Sequence, residues 1–215
     1  MIIDERTAAF IDLMDKGNGP FLDKLESEAL AAQVPIIRRS TQSLLRFLIT
    51  YSKPKRILEI GTAVGFSALL MSEAAGSECR IDTIEKYEKR IPIAKENFVK
   101  AGEIGSRITL HEGDAFEILP TLDGPYDMIF MDAAKGQYIN WLPELMRLLP
   151  VGGLLVSDNI LQDGDVIESR FAVTRRDRTI HSRMREYIYE LKHNEALETV
   201  ILPVGDGMTL STKVK

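Results

Sequence analysis

Three side chains that carry oxygen ligands follow two successive apolar runs. Asp132 follows the run at 126–131, and Asp158 and Asn159 follow the run at 152–157. If both runs are parallel strands of one sheet, their carboxyl ends lie at the same edge and bring these side chains together. Two carboxylates and one amide carbonyl suit Mg²⁺ or Mn²⁺. Asp158 and Asn159 alone would be an ordinary turn, but a turn does not explain Asp132 on the neighbouring strand.

The cysteine and histidine content argues against the commoner metal sites. Cys79 is the only cysteine, so it cannot form a disulfide within the chain. The histidines His111, His181 and His193 are too scattered for zinc-ligand spacing. We therefore expect any metal to be held by oxygen atoms.

Two further acids lie at the ends of two earlier strands. Glu59 is followed by Gly61 and Gly65, which bound a turn that opens a helix. The spacing is E-x-G-x-x-x-G, whereas a dinucleotide site needs G-x-G-x-x-G, so an NAD-dependent reductase is disfavoured. An acid at this turn suits a cationic ligand, such as the amino acid portion of S-adenosylmethionine. Glu85 ends the next strand, where a carboxylate can accept both hydroxyls of a ribose. One such acid would fit a solvated strand end, but two in succession indicate a cofactor site.

The elements that must position these side chains are visible in the apolar periodicity. Residues 1–52 have apolar positions at helical spacing and predict a helical cap. Residues 53–215 alternate short apolar runs with amphipathic stretches, which is typical of an α/β fold with a mostly parallel sheet. Seven strands are predicted, at about 56–60, 80–85, 107–111, 126–131, 152–157, 196–202 and 207–213. Helices are predicted at about 66–75, 88–101 and 138–149 and in a segment that ends near His193.

The C-terminal end of this pattern differs from the rest. Residues 203–207 contain glycines and an aspartate, which suit a hairpin turn, so we expect the last two strands to be antiparallel. The whole chain has 215 residues, of which 45% are hydrophobic and 27% are charged. This length and composition predict one globular domain over 1–215.

The charge pattern predicts where the protein is found. Residues 1–6 contain acids where a secretory signal would have basic residues, and no apolar stretch reaches the about 18 residues of a membrane span. We therefore expect a cytoplasmic protein with no membrane partner. The net charge of −5 argues against a broad nucleic-acid-binding surface, although local patches matter more than the total.

One segment reverses this charge. Residues 170–185 contain six arginines and one acid, directly after the predicted metal loop. Arginines beside the mouth of a site suit phosphate contacts, and their planar guanidinium groups also stack on unpaired bases. The alternative is a solvated helix face whose arginines pair with acids elsewhere.

From about residue 35 to residue 166, the sequence resembles the metal-dependent O-methyltransferase family that includes the catechol and caffeoyl-CoA enzymes. The motifs that carry the resemblance are, in order, ILEIGTAVGFSALLM, IDTIEKYEKRIPIAKENFVKAG, GDAFEILP, DMIFMDAAKGQY and LLVSDNIL. The resemblance implies a Rossmann-like fold and an enzyme that depends on S-adenosylmethionine and Mg²⁺ or Mn²⁺. It also implies a homodimer.

The resemblance implies roles for individual residues. The cofactor contacts would be Ile37, Glu59, Gly61, Ser67, Glu85, Asp114, Ala115 and Asp132. Within this set, the methionine part would be held by Glu59, Gly61 and Ser67, the ribose by Glu85, and the adenine would be flanked by Asp114 and Ala115. The metal ligands would be Asp132, Asp158 and Asn159.

The residues after Asp132 bear on the reaction and its substrate. Lys135 is near enough in sequence to reach a substrate hydroxyl, and the resemblance implies that it is the general base; otherwise it is a surface lysine on a loop. Many relatives read D-A-D-K here, whereas Ala134 replaces the second acid in this chain. This difference leaves the metal ligands intact and argues against a plant-type phenylpropanoid substrate.

The substrate is expected to offer two adjacent oxygens, as both catechol and 5-hydroxyuridine do. The stretch RRDRTIHSRMREY resembles bacterial tRNA 5-hydroxyuridine methyltransferases, which implies the wobble uridine of the tRNA anticodon loop as substrate. The RNA contacts would then be Arg175, Arg176, Arg178, Arg183 and Arg185.

A small-molecule catechol-type enzyme is the alternative. A noncatalytic module that binds S-adenosylmethionine or RNA would not need the metal ligands and Lys135 together.

Overall fold

The computed structural model describes residues 5–215, in which helices and strands alternate after a helical N-terminal part. The α-helices are α1 (Glu5–Met14), α2 (Pro20–Ala31), α3 (Arg39–Ser52), α4 (Phe66–Ala75), α5 (Ile91–Lys100), α6 (Ala115–Ile118), α7 (Tyr138–Leu148) and α8 (Arg178–His193). The strands are β1 (Arg56–Ile60), β2 (Arg80–Glu85), β3 (Ile108–Glu112), β4 (Met128–Met131), β5 (Leu154–Ser157), β6 (Leu197–Leu202) and β7 (Met208–Lys213). Residues 1–4, on which the expected cytoplasmic location partly rests, lie outside the described residues.

The strands form one seven-stranded sheet in the order β3-β2-β1-β4-β5-β7-β6. The first five strands pair in parallel, whereas β7 pairs antiparallel with both β5 and β6. The predicted Rossmann-like α/β fold with a C-terminal antiparallel hairpin is confirmed. In this order the carboxyl ends of β2, β1, β4 and β5 are neighbours, so the residues after these strands share one edge of the sheet.

The central strands are buried on both faces because helices cover both faces. All four residues of β4 are buried, as are the last four of β1. One face packs against α2, α3, α4 and α5, through side chains that include Leu22, Leu45, Leu69 and Phe98. The other face packs against α7 and α8, through side chains that include Tyr138, Leu145, Met184 and Tyr187.

The predicted N-terminal helical cap is confirmed as α1 to α3. Leu22 of α2 and Leu45 of α3 are buried in the same core as α4. Other apolar side chains of the cap are exposed, among them Phe10, Leu13, Phe47 and Tyr51. No helix within residues 5–215 is both long enough and apolar enough to cross a membrane.

Several element boundaries differ from the sequence prediction. Strand β4 begins at Met128 rather than 126, because the backbone N–H of Tyr126 donates to the carbonyl of Leu148, outside the sheet. Helix α5 begins at Ile91 rather than 88, with Pro92 in its first turn. Proline favours this position because its missing N–H would be unpaired in any first turn.

Candidate active site

A cleft of about 1050 Å³ lies at the carboxyl edge of β1, β2, β4 and β5. Residues 35–38, between α2 and α3, form part of its wall, and Ile37 is among its lining residues. Most of the predicted site residues line it, namely Ile37, Gly61, Ser67, Glu85, Asp114, Ala115, Asp132, Lys135, Asp158 and Asn159. Its volume is at the upper end for ligand pockets, which suits a cofactor together with an acceptor.

Gly61 fixes how β1 meets β4 at this edge. Its φ is +105°, and a Cβ atom there would lie 2.0 Å from the backbone oxygen of Asp132. The backbone N–H of Asp132 in turn donates to the carbonyl of Ile60 at 3.0 Å. Only glycine allows this close approach, so the turn after β1 and the first predicted metal ligand are held together.

Glu59 is a buried acid with one unpaired oxygen. Its side chain is fully buried (0% exposed), and Oε2 accepts a hydrogen bond from Thr83 Oγ1 at 2.5 Å. The other oxygen, Oε1, has no partner among the described residues. Burial raises the pKa of Glu59 to about 7, although the hydroxyls of Ser67 and Thr83 oppose the effect. A buried carboxylate that lacks one partner fits a cationic amine.

Glu85 and Asp114 already have partners in the protein. The two carboxylate oxygens of Glu85 accept backbone N–H groups of Ala63 and Tyr87, each at 2.7 Å. Asp114 caps α6 by accepting from the N–H of Phe116, and it pairs with Lys86 at 2.6 Å. Each carboxylate oxygen keeps a second lone pair, so these contacts leave room for a ribose or adenine donor.

The three predicted metal ligands are brought together as expected. Asp132 Oδ1 accepts from Asn159 Nδ2 at 2.8 Å, and Asp158 Oδ1 accepts from the backbone N–H of Asn159 at 2.7 Å. Burial and, to a smaller extent, the charge of Asp132 raise the pKa of Asp158 to about 8. Asn159 has a φ of +60°, which asparagine tolerates better than most residues and which turns the chain after β5.

This donor set fits a divalent cation. Asp132 and Asp158 are mostly buried acids that form no ion pair within residues 5–215, so a cation between them would relieve their mutual repulsion. A 180° rotation of the Asn159 amide would present its oxygen to the same point. The described residues contain no group of three or more His, Cys, Asp or Glu side chains suited to a metal, so the amide would be the third protein ligand.

Lys135 begins a short 3₁₀ turn, 135–137, that leads into α7. It lines the cleft with the three predicted ligands, and its side chain forms no hydrogen bond or ion pair with residues 5–215. Arg183 of α8 donates to the carbonyl of Gly136 at 3.0 Å and fixes the position of this turn. A lysine held in this way, without an internal partner, can contact a substrate.

The sequence did not reveal an arginine that joins three parts of the cleft rim. Arg38, at the start of α3, contacts Asp206 at 2.6 Å and Asp163 at 3.0 Å. Asp163 lies in the loop that follows Asn159, and Asp206 lies in the turn between β6 and β7. Sequence periodicity cannot place residues this far apart next to each other, and the sequence pattern indicates Asp206 only as a turn residue.

The predicted RNA-binding arginines lie outside the cleft lining. Three of them donate to backbone carbonyls: Arg178 to Val173, Arg183 to Gly136, and Arg185 to Val166. Arg175 and Arg176 are exposed and have no hydrogen bond or ion pair within the described chain. No acid of the described chain therefore pairs with these last two, and both are exposed to solvent.

The chain is similar to known O-methyltransferases over nearly all its length. The family model described as O-methyltransferase matches residues 17–214. A catechol O-methyltransferase from Mycobacterium tuberculosis is 33% identical over 162 residues, which are 74% of this chain and 73% of that protein. Caffeoyl-CoA O-methyltransferase 2 from Populus trichocarpa is 34% identical over 187 residues, 80% of this chain and 72% of that protein.

Solved structures agree with this assignment. A Staphylococcus aureus protein, provisionally described as a caffeoyl-CoA O-methyltransferase, has a TM-score of 0.89 and 32% identity over 98% of this chain and 100% of its own. A methyltransferase from Podospora anserina, solved with S-adenosylhomocysteine (SAH) bound, has a TM-score of 0.87 and 28% identity over 98% of this chain and 95% of its own. The chain therefore belongs to the O-methyltransferase family and is an S-adenosylmethionine-dependent O-methyltransferase.

Proposed function

We propose that this enzyme methylates 5-hydroxyuridine at the wobble position of tRNA, giving 5-methoxyuridine. The observation that carries the proposal is the pair Arg175 and Arg176, which are exposed and unpaired among residues 5–215 although the protein has a net charge of −5. Unpaired guanidinium groups suit phosphate contacts. An anticodon loop is single-stranded, so its base can turn out of the stack and enter a cleft.

Lining residues of the cleft, together with Glu59, which is buried behind the lining at the end of β1, would share the binding of the cofactor. Glu59 Oε1 would accept a hydrogen bond from the cationic amino group, and the free lone pairs of Glu85 would accept the ribose hydroxyls. The rings of Phe116 and Trp141, whose centroids are 6.1 Å apart, line the cleft together with Asp114 and Ala115 and would contact the adenine. This arrangement would hold the methyl group towards Asp132 and Lys135.

The chemical step needs a deprotonated oxygen in line with the methyl group. Mg²⁺ or Mn²⁺, when held by Asp132, Asp158 and Asn159, would make the acceptor hydroxyl more acidic. Lys135, in its neutral form, would take the proton of that hydroxyl. The oxygen–carbon bond forms as the sulfur–carbon bond breaks, so the sulfonium becomes the neutral thioether of SAH. Much of the rate would come from holding the two reacting atoms in line.

A small-molecule enzyme is the second candidate function. The relatives named above are catechol and caffeoyl-CoA O-methyltransferases, and a catechol also offers two adjacent oxygens. Ala134 lines the cleft where many relatives have an acid, which argues against a plant-type phenylpropanoid. A catechol acceptor would not use the exposed arginines.

The two candidates predict opposite results for an arginine variant. Replacing both Arg175 and Arg176 with glutamine should raise KM for hydroxylated tRNA. The slope of log affinity against log salt should become shallower by roughly 0.7 for each phosphate that the variant no longer binds. Affinity for S-adenosylmethionine and activity on a catechol should not change. The matched control replaces Lys24 and Lys100, two exposed lysines of α2 and α5, and removes the same charge elsewhere.

The measurement is methyl transfer to hydroxylated tRNA and to a catechol at two salt concentrations. If the arginine and lysine variants have the same tRNA kinetics, these arginines do not contact the RNA. If the wild type transfers no methyl group to tRNA but methylates a catechol, the small-molecule function is correct.

The pKa of Glu59 predicts a proton linkage for cofactor binding. An acid with a pKa of about 7 is mostly protonated at pH 6, and a cationic amine requires its anion, so binding should release nearly one proton at pH 6 and weaken as the pH falls below 7. Isothermal titration calorimetry at pH 6 in two buffers of different ionisation enthalpy measures this release. Glu59→Gln should bind S-adenosylmethionine more weakly and without releasing a proton. Equal proton release by both proteins would contradict the assignment.

We also propose a homodimer formed through the helical cap. Phe47 and Tyr51 of α3 are 65% and 79% exposed, and their rings stack on each other. Helix α1, which contacts α3, has further exposed apolar side chains. Exposed apolar patches of this kind favour association. Light scattering at micromolar concentration should give about twice the mass of the 24.1 kDa chain, and Tyr51→Lys should shift it towards the monomer.

A further inference from the structure

A second recess lies on the surface between α8 and the segment that precedes it. It has a volume of about 430 Å³ and is separate from the active-site cleft. Its lining consists of Ser169, Arg170, His181, Ser182 and Arg185. No acid is among the lining residues, and each of them has a side chain that can donate a hydrogen bond. Such a lining suits an anion.

His181 is a buried side chain of this lining with one unpartnered atom. It is 2% exposed, and its Nε2 is 3.1 Å from the carbonyl oxygen of Glu168. A carbonyl only accepts, so Nε2 carries the hydrogen. Nδ1 is buried and has no partner within residues 5–215. The hydrogen bond to Glu168 holds the imidazole ring in the wall of the recess.

Three other lining side chains have donors to spare, whereas the hydroxyl of Ser182 already donates to the carbonyl of Arg178 at 2.9 Å. Arg185 donates from one nitrogen, Nη1, to the carbonyl of Val166 at 3.2 Å. This hydrogen bond orients the guanidinium group and leaves its other N–H groups available to a ligand. Arg170 is exposed and has no hydrogen bond or ion pair in the described part of the chain. Ser169 Oγ accepts from the N–H of Phe171 at 3.3 Å, so its hydroxyl hydrogen remains available. Two guanidinium groups and a hydroxyl therefore converge on one recess.

We propose that this recess binds a backbone phosphate of the RNA substrate, at a nucleotide next to the one that is methylated. The phosphate oxygens would accept from Arg170, Arg185 and Ser169. This inference rests on the proposed tRNA substrate. It adds a defined site to the exposed pair Arg175 and Arg176.

Helix α8 connects the recess to the active site. Arg183 and Ile180 approach Gly136, next to Lys135, whereas His181 and Arg185 line the recess on another side of the helix. An α-helix with its side chains is about 10–12 Å across. To place a phosphate in the recess, a single strand with one nucleoside in the cleft would have to pass α8, so this phosphate would belong to a neighbouring nucleotide and not to the target.

The test replaces Arg170 and Arg185 with glutamine and uses the Lys24 and Lys100 double variant as the charge-matched control. We expect KM for hydroxylated tRNA to rise about tenfold with kcat unchanged, and the salt slope to become shallower by about 0.7. Methylation of the 5-hydroxyuridine nucleoside, which has no phosphate, should not change. A KM equal to that of the control variant would overturn the proposal.

A single substitution separates phosphate binding from the structural role of Arg185. Arg185 also holds the segment at Val166, whereas Arg170→Gln breaks no internal contact of the described chain. Arg170→Gln alone should therefore still raise KM severalfold. An unchanged KM in this variant would overturn the phosphate role.

Binding of labelled oligouridylate distinguishes failure of the recess from failure of the proposed function. If the wild type does not methylate tRNA, the proposed function is wrong, and fluorescence anisotropy with labelled oligouridylate then decides. Loss of oligouridylate binding only in the Arg170 and Arg185 variant supports the recess as an RNA phosphate site, and equal binding overturns it. Displacement by millimolar inorganic phosphate at constant ionic strength would identify free phosphate as the ligand and overturn the RNA assignment.

Discussion

Replacing Asp132 or Asp158 with alanine is expected to lower kcat by about a thousandfold, because either change removes a charged ligand from a site that has only two. Both side chains are mostly buried and form no ion pair within residues 5–215, and the described residues hold no group of three or more His, Cys, Asp or Glu side chains that could bind the ion instead. Asn159→Ala should keep more activity, since a water molecule can replace a neutral ligand. Asp165→Ala is the matched control, because Asp165 is exposed and lies outside the cleft.

The measurement is methyl transfer with Mg²⁺, with Mn²⁺ and in excess chelator. S-adenosylmethionine should bind in the chelator with little loss of affinity, because Glu59 and Glu85 belong to other strands than Asp158. Turnover should require the added ion. Full activity in the chelator, or equal activity of all four variants and the wild type, would contradict the metal assignment.

Much of the site could be predicted because it depends on strand ends. A parallel sheet brings the residues after β1, β2, β4 and β5 to one edge, so Glu59, Glu85, Asp132 and Asp158 had to be neighbours once the strands were correctly identified. The same reasoning gave the α/β fold, since alternating apolar runs and helical stretches leave few other arrangements. Element ends were less certain because single hydrogen bonds decide them, as at Tyr126.

The contacts that the sequence could not predict join distant segments through long side chains. Arg38 reaches Asp163 and Asp206 across the cleft rim, and no local pattern marks an arginine as the partner of either. The partners of Arg183 and Arg185 are backbone carbonyls, which carry no signal in the sequence. The sequence therefore does not distinguish among the six arginines of residues 170–185. In the structure, Arg178, Arg183 and Arg185 donate to backbone carbonyls, whereas the other three form no hydrogen bond or ion pair within residues 5–215.

The role of Lys135 predicts the second large effect. Lys135→Ala should lower kcat by about a hundredfold or more at pH 7, which is the usual contribution of a positioned base, and should leave the affinity for S-adenosylmethionine nearly unchanged. Part of the loss should be recovered as the pH rises, because the acceptor hydroxyl then ionises without help. The 3₁₀ turn should persist in the variant, since Arg183 holds it through the backbone of Gly136.

Lys135→Arg separates proton transfer from simple attraction. Arginine keeps the positive charge near Asp132 and Asp158 but cannot be deprotonated in a protein, so it cannot act as a base. If Lys135 is the base, the arginine and alanine variants should be similarly slow at pH 7 and should both recover at higher pH. If the lysine only supplies charge, the arginine variant should keep most of the wild-type rate. Single-turnover rates of the wild type and the two variants between pH 6 and pH 9 therefore decide between a base and an electrostatic contact. If neither Lys135→Ala nor Lys135→Arg changes the rate at pH 7, Lys135 is only a surface lysine.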